Sequence, residues 1–142
     1  MIADHFEPLW QRPSPEVAQE RVARWRAAWP RIAEAHRDAR GRPPVYTFFY
    51  PEEEYRPELL EPLAEMTRLG VADVDVHLHH DRDSEQSFVD RLGGYLQALD
   101  GSHGLLRRHG GRIAFGFIHG NWALDNSGYD GRWCGLNNEI TL

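Results

Sequence analysis

The sequence predicts an α/β fold: an incomplete (β/α) barrel with largely parallel strands, and three observations predict it. Strand-like and helix-like segments alternate from end to end. Each strand-like segment finishes in residues able to bind a metal or move a proton. The length, 142 residues, is about one ordinary domain, enough to bury a core but short of the roughly 200 residues a complete β/α barrel usually needs. The expectation is therefore a single β/α domain over residues 1–142, the N-terminal portion of a longer barrel.

The elements follow in order. Residues 1–3 form a strand stub leading into Asp4-His5-Phe6-Glu7-Pro8. Ser14-Pro15 has the form of an N-cap followed by proline at the first helical position. Ala18, Val22, Trp25, Trp29 and Ile32 then recur at steps of four and three, the apolar face of a helix. Trp25 and Trp29 belong to the core. Pro30 predicts a kink or split near Trp29. Residues 45–50, β-branched and aromatic, read as a buried strand ended by Pro51. Glu52, Glu53 and Glu54 read as a solvated first helical turn, suited to the helix dipole. A helix is expected over residues 57–69, with Leu59, Leu63 and Met66 inward, Pro62 weakening it and Gly70 stopping it.

Residues 74–81, Val-Asp-Val-His-Leu-His-His-Asp, are the most informative stretch. Val74, Val76 and Leu78 share one face; Asp75, His77 and His79 share the other. His80 and Asp81 fall at the strand mouth. Asp83 and Gln86 resemble a capping box, and Phe88, Leu92, Leu96 and Leu99 mark a helix ending at Gly101. Residues 113–118 form another apolar strand, finishing in His119-Gly120-Asn121-Trp122. Polar loops with Asp125, Asn126, Asp130 and Gly131 precede a last short segment, residues 133–142.

This alternation belongs to a parallel sheet or barrel, where active sites lie at the carboxyl ends of strands. The polar chemistry falls there: Asp4-His5, Glu52 to Glu54, His77 to Asp81 and His119 to Asn121 each follow a strand. Neutral imidazole and carboxylate are the usual ligands of catalytic zinc and similar ions, so the pattern points to a divalent metal or an acid/base site. Composition excludes other classes. The net charge of -6 and the scattered arginines argue against nucleic acid as partner. No apolar run approaches the length of a membrane span, and no signal peptide is visible, so the default is cytoplasmic. Cys134 is the single cysteine; it has no local thiolate-stabilising signature and reads as a buried small hydrophobe.

Asp-His-Phe-Glu-Pro (4–8), Thr-Phe-Phe-Tyr-Pro-Glu-Glu-Glu-Tyr (47–55), His-Leu-His-His-Asp (77–81), His-Gly-Asn-Trp-Ala-Leu-Asp-Asn (119–126) and Gly-Arg-Trp-Cys-Gly (131–135) resemble an uncharacterised bacterial family over nearly the whole chain. That family looks related, by motif placement, to the polysaccharide deacetylases, the NodB-like group with a distorted β/α barrel. The resemblance implies a zinc-type metal-dependent hydrolase acting on an acylated sugar. Asp4 would be the catalytic base and His5 a metal ligand. The family's His-x-x-x-His turn matches His77 and Asp81, a departure that leaves the remaining ligands open among His77, His79, His80 and Asp81. The family's late histidine, the general acid, would lie beyond Leu142 unless His119 takes its role. Asn121 and Trp122 would meet the substrate, Trp122 by stacking on a sugar ring. Two further readings stand beside this one: a metal- or sugar-binding module without turnover, and a glycoside hydrolase using paired carboxylates such as Asp4 or Glu7 with Glu53.

Overall fold

The computed structural model describes residues 2–121, 124–128, 131 and 133–142. Four strands form one parallel sheet: β1 (Ile2–His5), β2 (Tyr46–Pro51), β3 (Ala72–Leu78) and β6 (Phe117–His119), in the order β1-β2-β3-β6. The sheet curls into a half-barrel compatible with an incomplete β/α barrel. A hairpin of β4 (Arg107–His109) and β5 (Arg112–Ala114) stands apart from it. No helix among the described residues is long and apolar enough to cross a membrane.

The helices cover one face of the sheet. Helix α1 (Pro15–Ala35) begins at Ser14, which accepts the Val17 N–H. Pro30 does not split it. One missing backbone bond is outweighed by the packing of Trp25 and Trp29, which meet Tyr46 in tilted and edge-to-face contacts, and by the Trp29 indole donating to Val71 O at 2.7 Å. Helix α2 (Pro57–Arg68) is likewise continuous through Pro62, burying Leu59, Leu60, Leu63, Ala64 and Met66. Gly70, at φ +73°, then turns the chain into β3, a left-handed step that favours glycine. Helix α3 (Glu85–Gln97) starts one residue later than the Asp83 pattern predicts. Ser84 is the N-cap and accepts the Ser87 N–H, while Asp83 accepts the N–H of Ser84.

Strand alternation sorts the sheet residues. Tyr46, Phe48, Tyr50, Val74, Val76 and Leu78 are buried under the helices. Thr47, Phe49, Asp73, Asp75 and His77 take the opposite, inner face. The Tyr95 hydroxyl of α3 donates to Tyr50 O at 2.9 Å, tying the third helix to the same layer.

The strand predicted over residues 113–118 is in fact two short strands in different sheets. Gly110 and Gly111, both at positive φ, make a two-residue turn that folds β5 back on β4. The chain then breaks at Gly116, whose N–H donates to the Asp75 carboxylate at 2.8 Å. A Cβ there would stand 3.1 Å from the same carboxylate. Only after this contact does β6 join β3.

Candidate functional site

Two groups of potential ligands sit at the carboxyl end of β3, on opposite faces. On the inner face His5 and Glu7 follow β1, while His77 and His79 come from β3 and its mouth. His5, Glu7 and His77 each offer a donor atom within 4.8 Å of the others. His5 Nδ1 lies 3.2 Å from His77 Nε2. Glu7 Oε1 lies 3.5 Å from His77 Nε2, 3.8 Å from His79 Nε2 and 3.9 Å from His5 Nδ1.

The far nitrogens of the two β3 histidines are already committed. His77 Nδ1 donates to Ile118 O at 3.0 Å. That bond puts the ring proton on Nδ1 and leaves the Nε2 lone pair facing Glu7. His79 Nδ1 is bonded to Glu53, so its Nε2 also turns toward Glu7. A carboxylate or carbonyl on the outer nitrogen is the arrangement that fixes a metal-binding imidazole. Burial lowers the His77 pKa and keeps the ring neutral. The Glu53 contact raises that of His79, so a cation at Nε2 would compete with a proton there. Burial alone would push Glu53 up; the His79 and backbone bonds reverse it.

The three glutamates after β2 are not simply solvated. They form a 3-10 turn in which Glu52 pairs with Arg91 of α3 at 2.5 Å, Glu53 holds His79, and Glu54 accepts the Leu9 N–H at 2.6 Å. Each finds a partner from a distant segment, which a solvated helical turn would not provide. A shallow cleft of about 490 Å³ opens over this turn, lined by Glu7, Trp10, Arg12, Glu53, Glu54 and His79. Trp10 is 60% exposed at its rim.

The second group lies on the helix face. His80 follows His79 and so points the other way, against Phe88 of α3 and His119 of β6. His80, His119, Cys134 and Glu139 bring one donor atom each within 4.8 Å of one another, a buried group that could bind a metal ion. Glu139 Oε1 is 2.7 Å from His80 Nε2 and 3.4 Å from His119 Nε2. Its Oε2 accepts the Asp125 N–H at 2.6 Å and the Cys134 thiol at 3.1 Å. Burial pushes the Cys134 thiol up and takes His119 down to about 4.

The structure thus unites His5, His77 and His79 and parts them from other expected site residues. Asp4 is paired in register with Phe48 and lies on the helix face, where the Tyr46 hydroxyl donates to it at 3.5 Å. Adjacent residues on a strand cannot share a face, so Asp4 does not stand beside His5 in one pocket. Asp81 is exposed beside Arg82 and Trp133 and belongs to neither group. His119 joins the buried group. Asn121 contacts that group, donating its N–H to His119 Nδ1 and its amide to His80 O. Trp122 and Asp130 lie outside the described residues. Glu7 was legible by parity, two residues after His5. Cys134 and Glu139 carry no such signal, because no periodicity links them to His80.

Comparison with protein-family models, with curated proteins and with solved structures yields no match for this chain.

Proposed function

We propose that the inner-face group is the metal-binding half of a hydrolytic site that removes an acyl group from a sugar, in the manner of the polysaccharide deacetylases. One observation carries this reading. Three imidazoles and a carboxylate from two strand ends converge, and two of the imidazoles are held by their far nitrogens so that their Nε2 atoms face inward, toward Glu7 and His5. Nitrogen and oxygen donors of this kind suit zinc. His5, His77, His79 and Glu7 would hold such an ion, which would supply polarisation of an acyl carbonyl and a more acidic water.

The chain's own residues supply the rest. Ile118 O and Glu53 orient His77 and His79. Asp4 faces away, so the base role passes to a carboxylate lining the cleft. Glu54 fits it best: burial raises its affinity for a proton, and its bond from Leu9 N–H engages only one of its two oxygens. Trp10, exposed at the rim, offers the flat apolar face that a sugar ring stacks on. The other reading, a sugar- or metal-binding module without turnover, draws support from the placement of Asp4.

The test is acetate release from acetylated chito-oligosaccharides and acetylated sugar esters, with zinc supplied. Release is expected to be abolished in His77→Ala and lowered at least tenfold in Glu54→Gln, with the metal content of the latter unchanged. In Trp10→Ala the effect should fall on KM. Oligosaccharide binding without acetate release would establish the module. No release, together with a zinc content unchanged by His77→Ala, would overturn the metal-dependent reading of this site.

A further inference from the structure

We propose that the buried group on the helix face is a second metal centre, a structural thiolate site for zinc that staples the C-terminal segment to the sheet. Its donors are His80, His119, Cys134 and Glu139. Imidazole, thiolate and carboxylate are all zinc donors, and four protein donors that leave no position open make a closed site rather than a catalytic one. The His80 and Glu139 side chains are each 1% exposed and that of His119 6%, so the donors are shielded from bulk water.

Buried polar atoms without partners converge on the same place. His119 Nε2 is buried, aims at Glu139 and has no hydrogen-bond partner among the described residues; His80 Nδ1 and Asp83 Oδ2 are in the same condition. Buried polar groups are normally paired. A cation at the centre of the four donors would satisfy His119 Nε2 directly. It would also turn His80 Nδ1 into an N–H donor toward Asp83 Oδ2, 3.6 Å away, the support a metal-bound imidazole usually has.

The proton balance closes. The Cys134 S–H bond breaks as the sulfur–metal bond forms, and the proton leaves to solvent. His80 and His119 stay neutral, each moving its ring proton from Nε2 to Nδ1; for His119 this displaces the N–H of Asn121. Thiolate and Glu139 carboxylate together carry two negative charges, matching a divalent ion.

The fold needs such a fastening. After β6 the described chain has only two short 3-10 turns, at Leu124–Asn126 and Glu139–Thr141, yet Cys134, Leu136 and Glu139 are buried. Segments without ladder hydrogen bonds or a large core are commonly held by metals or cross-links. The donors span residues 80 to 139, so one ion would fix three separate stretches of chain. The site is distinct from the hydrolytic group: its donors lie across the sheet from His5, His77 and His79.

Because Cys134 is the chain's single cysteine, cobalt(II) gives an unambiguous readout. Cobalt-loaded protein should show a thiolate-to-cobalt charge-transfer band in the near ultraviolet, saturating at one equivalent. The band should persist in His77→Ala and vanish in Cys134→Ala, and zinc should protect Cys134 from thiol reagents in the wild type. Absence of the band in cobalt-loaded wild-type protein would overturn the proposal, whether or not the Cys134 variant folds. So would zinc leaving the thiol fully reactive in folded wild-type protein. Neither result depends on acetate release, so this centre and the hydrolytic reading can fail separately.

Discussion

His79 and His80 are neighbours in the chain and belong to different environments. His79 turns to the inner face, beside Glu7 and Glu53, where its side chain is 27% exposed and a cleft opens. His80 turns to the helix face, against Phe88 and Glu139, and is sealed. Strand parity makes the division, and the helices convert it into a difference of chemistry. Only one face of the sheet is covered by helices, so the helix-face group is sealed as a whole, whereas on the inner face His77 is buried but His5, Glu7 and His79 keep contact with solvent. The open group can exchange ligands and meet a substrate. The closed group is shielded from bulk water, where a bound ion would hold structure together.

That contrast is most directly broken by removing a carboxylate from each side. Glu139→Ala strands the His80 ring, the Asp125 N–H and the Cys134 thiol in the interior. The expected cost is about 3–5 kcal/mol, read by urea denaturation with a chelator present. Glu7→Ala removes only contacts of 3.5–3.9 Å, two of them to part-exposed rings, and should cost no more than about 1 kcal/mol in the same buffer. Equal losses would mean that burial does not separate the two groups.

Two glycines give a second, smaller pair of effects. A Cβ on Gly135 would stand 2.4 Å from Asp83 N and 2.5 Å from Asp83 O, rigid backbone atoms, and the residue sits at φ +103°. Gly135→Ala should therefore cost about 2–3 kcal/mol. A Cβ on Gly120 would stand 2.4 Å from the His79 ring, a side chain that can swing into the open cleft. Gly120→Ala should spare the fold and weaken zinc binding at the inner face roughly 10- to 100-fold, the range seen when support of a ligand is lost. Paired urea denaturation and zinc titration separate the outcomes; if Gly120→Ala unfolds the protein as readily as Gly135→Ala, His79 is held more rigidly than its exposure implies.

What the sequence disclosed, and what it hid, follows the same division. The alternating β3 segment put His77 and His79 on one face because the period of a strand is two, and the same rule carried one residue further sends His80 to the other. Apolar spacing located α1 and α2 for the same kind of reason. The hairpin went unread, although Gly110-Gly111 is a turn pair, and the apolar run after it looked like a single strand. Its break at Gly116 depends on Asp75, 41 residues away. Glu52 to Glu54 looked solvated because their partners, Arg91, His79 and Leu9 N–H, come from three other segments. Cys134 and Glu139 lie in irregular chain, where no period relates a residue to its neighbours in space.

Support of the open group can be tested without disturbing packing. Glu53→Gln keeps an oxygen near His79 Nδ1 and removes the charge that holds the ring. Zinc affinity at the inner face is expected to fall about tenfold, the lower end of the usual outer-shell effect, while cobalt charge transfer at Cys134 is untouched. A matching loss at both sites would show that the two groups communicate through β3, contrary to their separation by the sheet.

The smallest expected effect concerns Asp75, the inner-face carboxylate between Phe49 and Gly116. Burial raises its pKa, and the Gly116 N–H only partly offsets this. A carboxyl whose folded pKa lies above its unfolded value binds more protons when folded. It therefore lowers stability at neutral pH and gives that stability back as pH falls through the raised value. Asp75→Asn keeps an acceptor for Gly116 and removes the charge, so its melting temperature at neutral pH should rise by on the order of 2 °C. The difference from wild type should shrink on acidification, as Asp75 itself becomes neutral. A fall of several degrees at neutral pH would mean that the bond from Gly116 to an ionised oxygen outweighs burial. The inner face would then be wetter than its half-buried residues suggest, and the contrast with the sealed face sharper still.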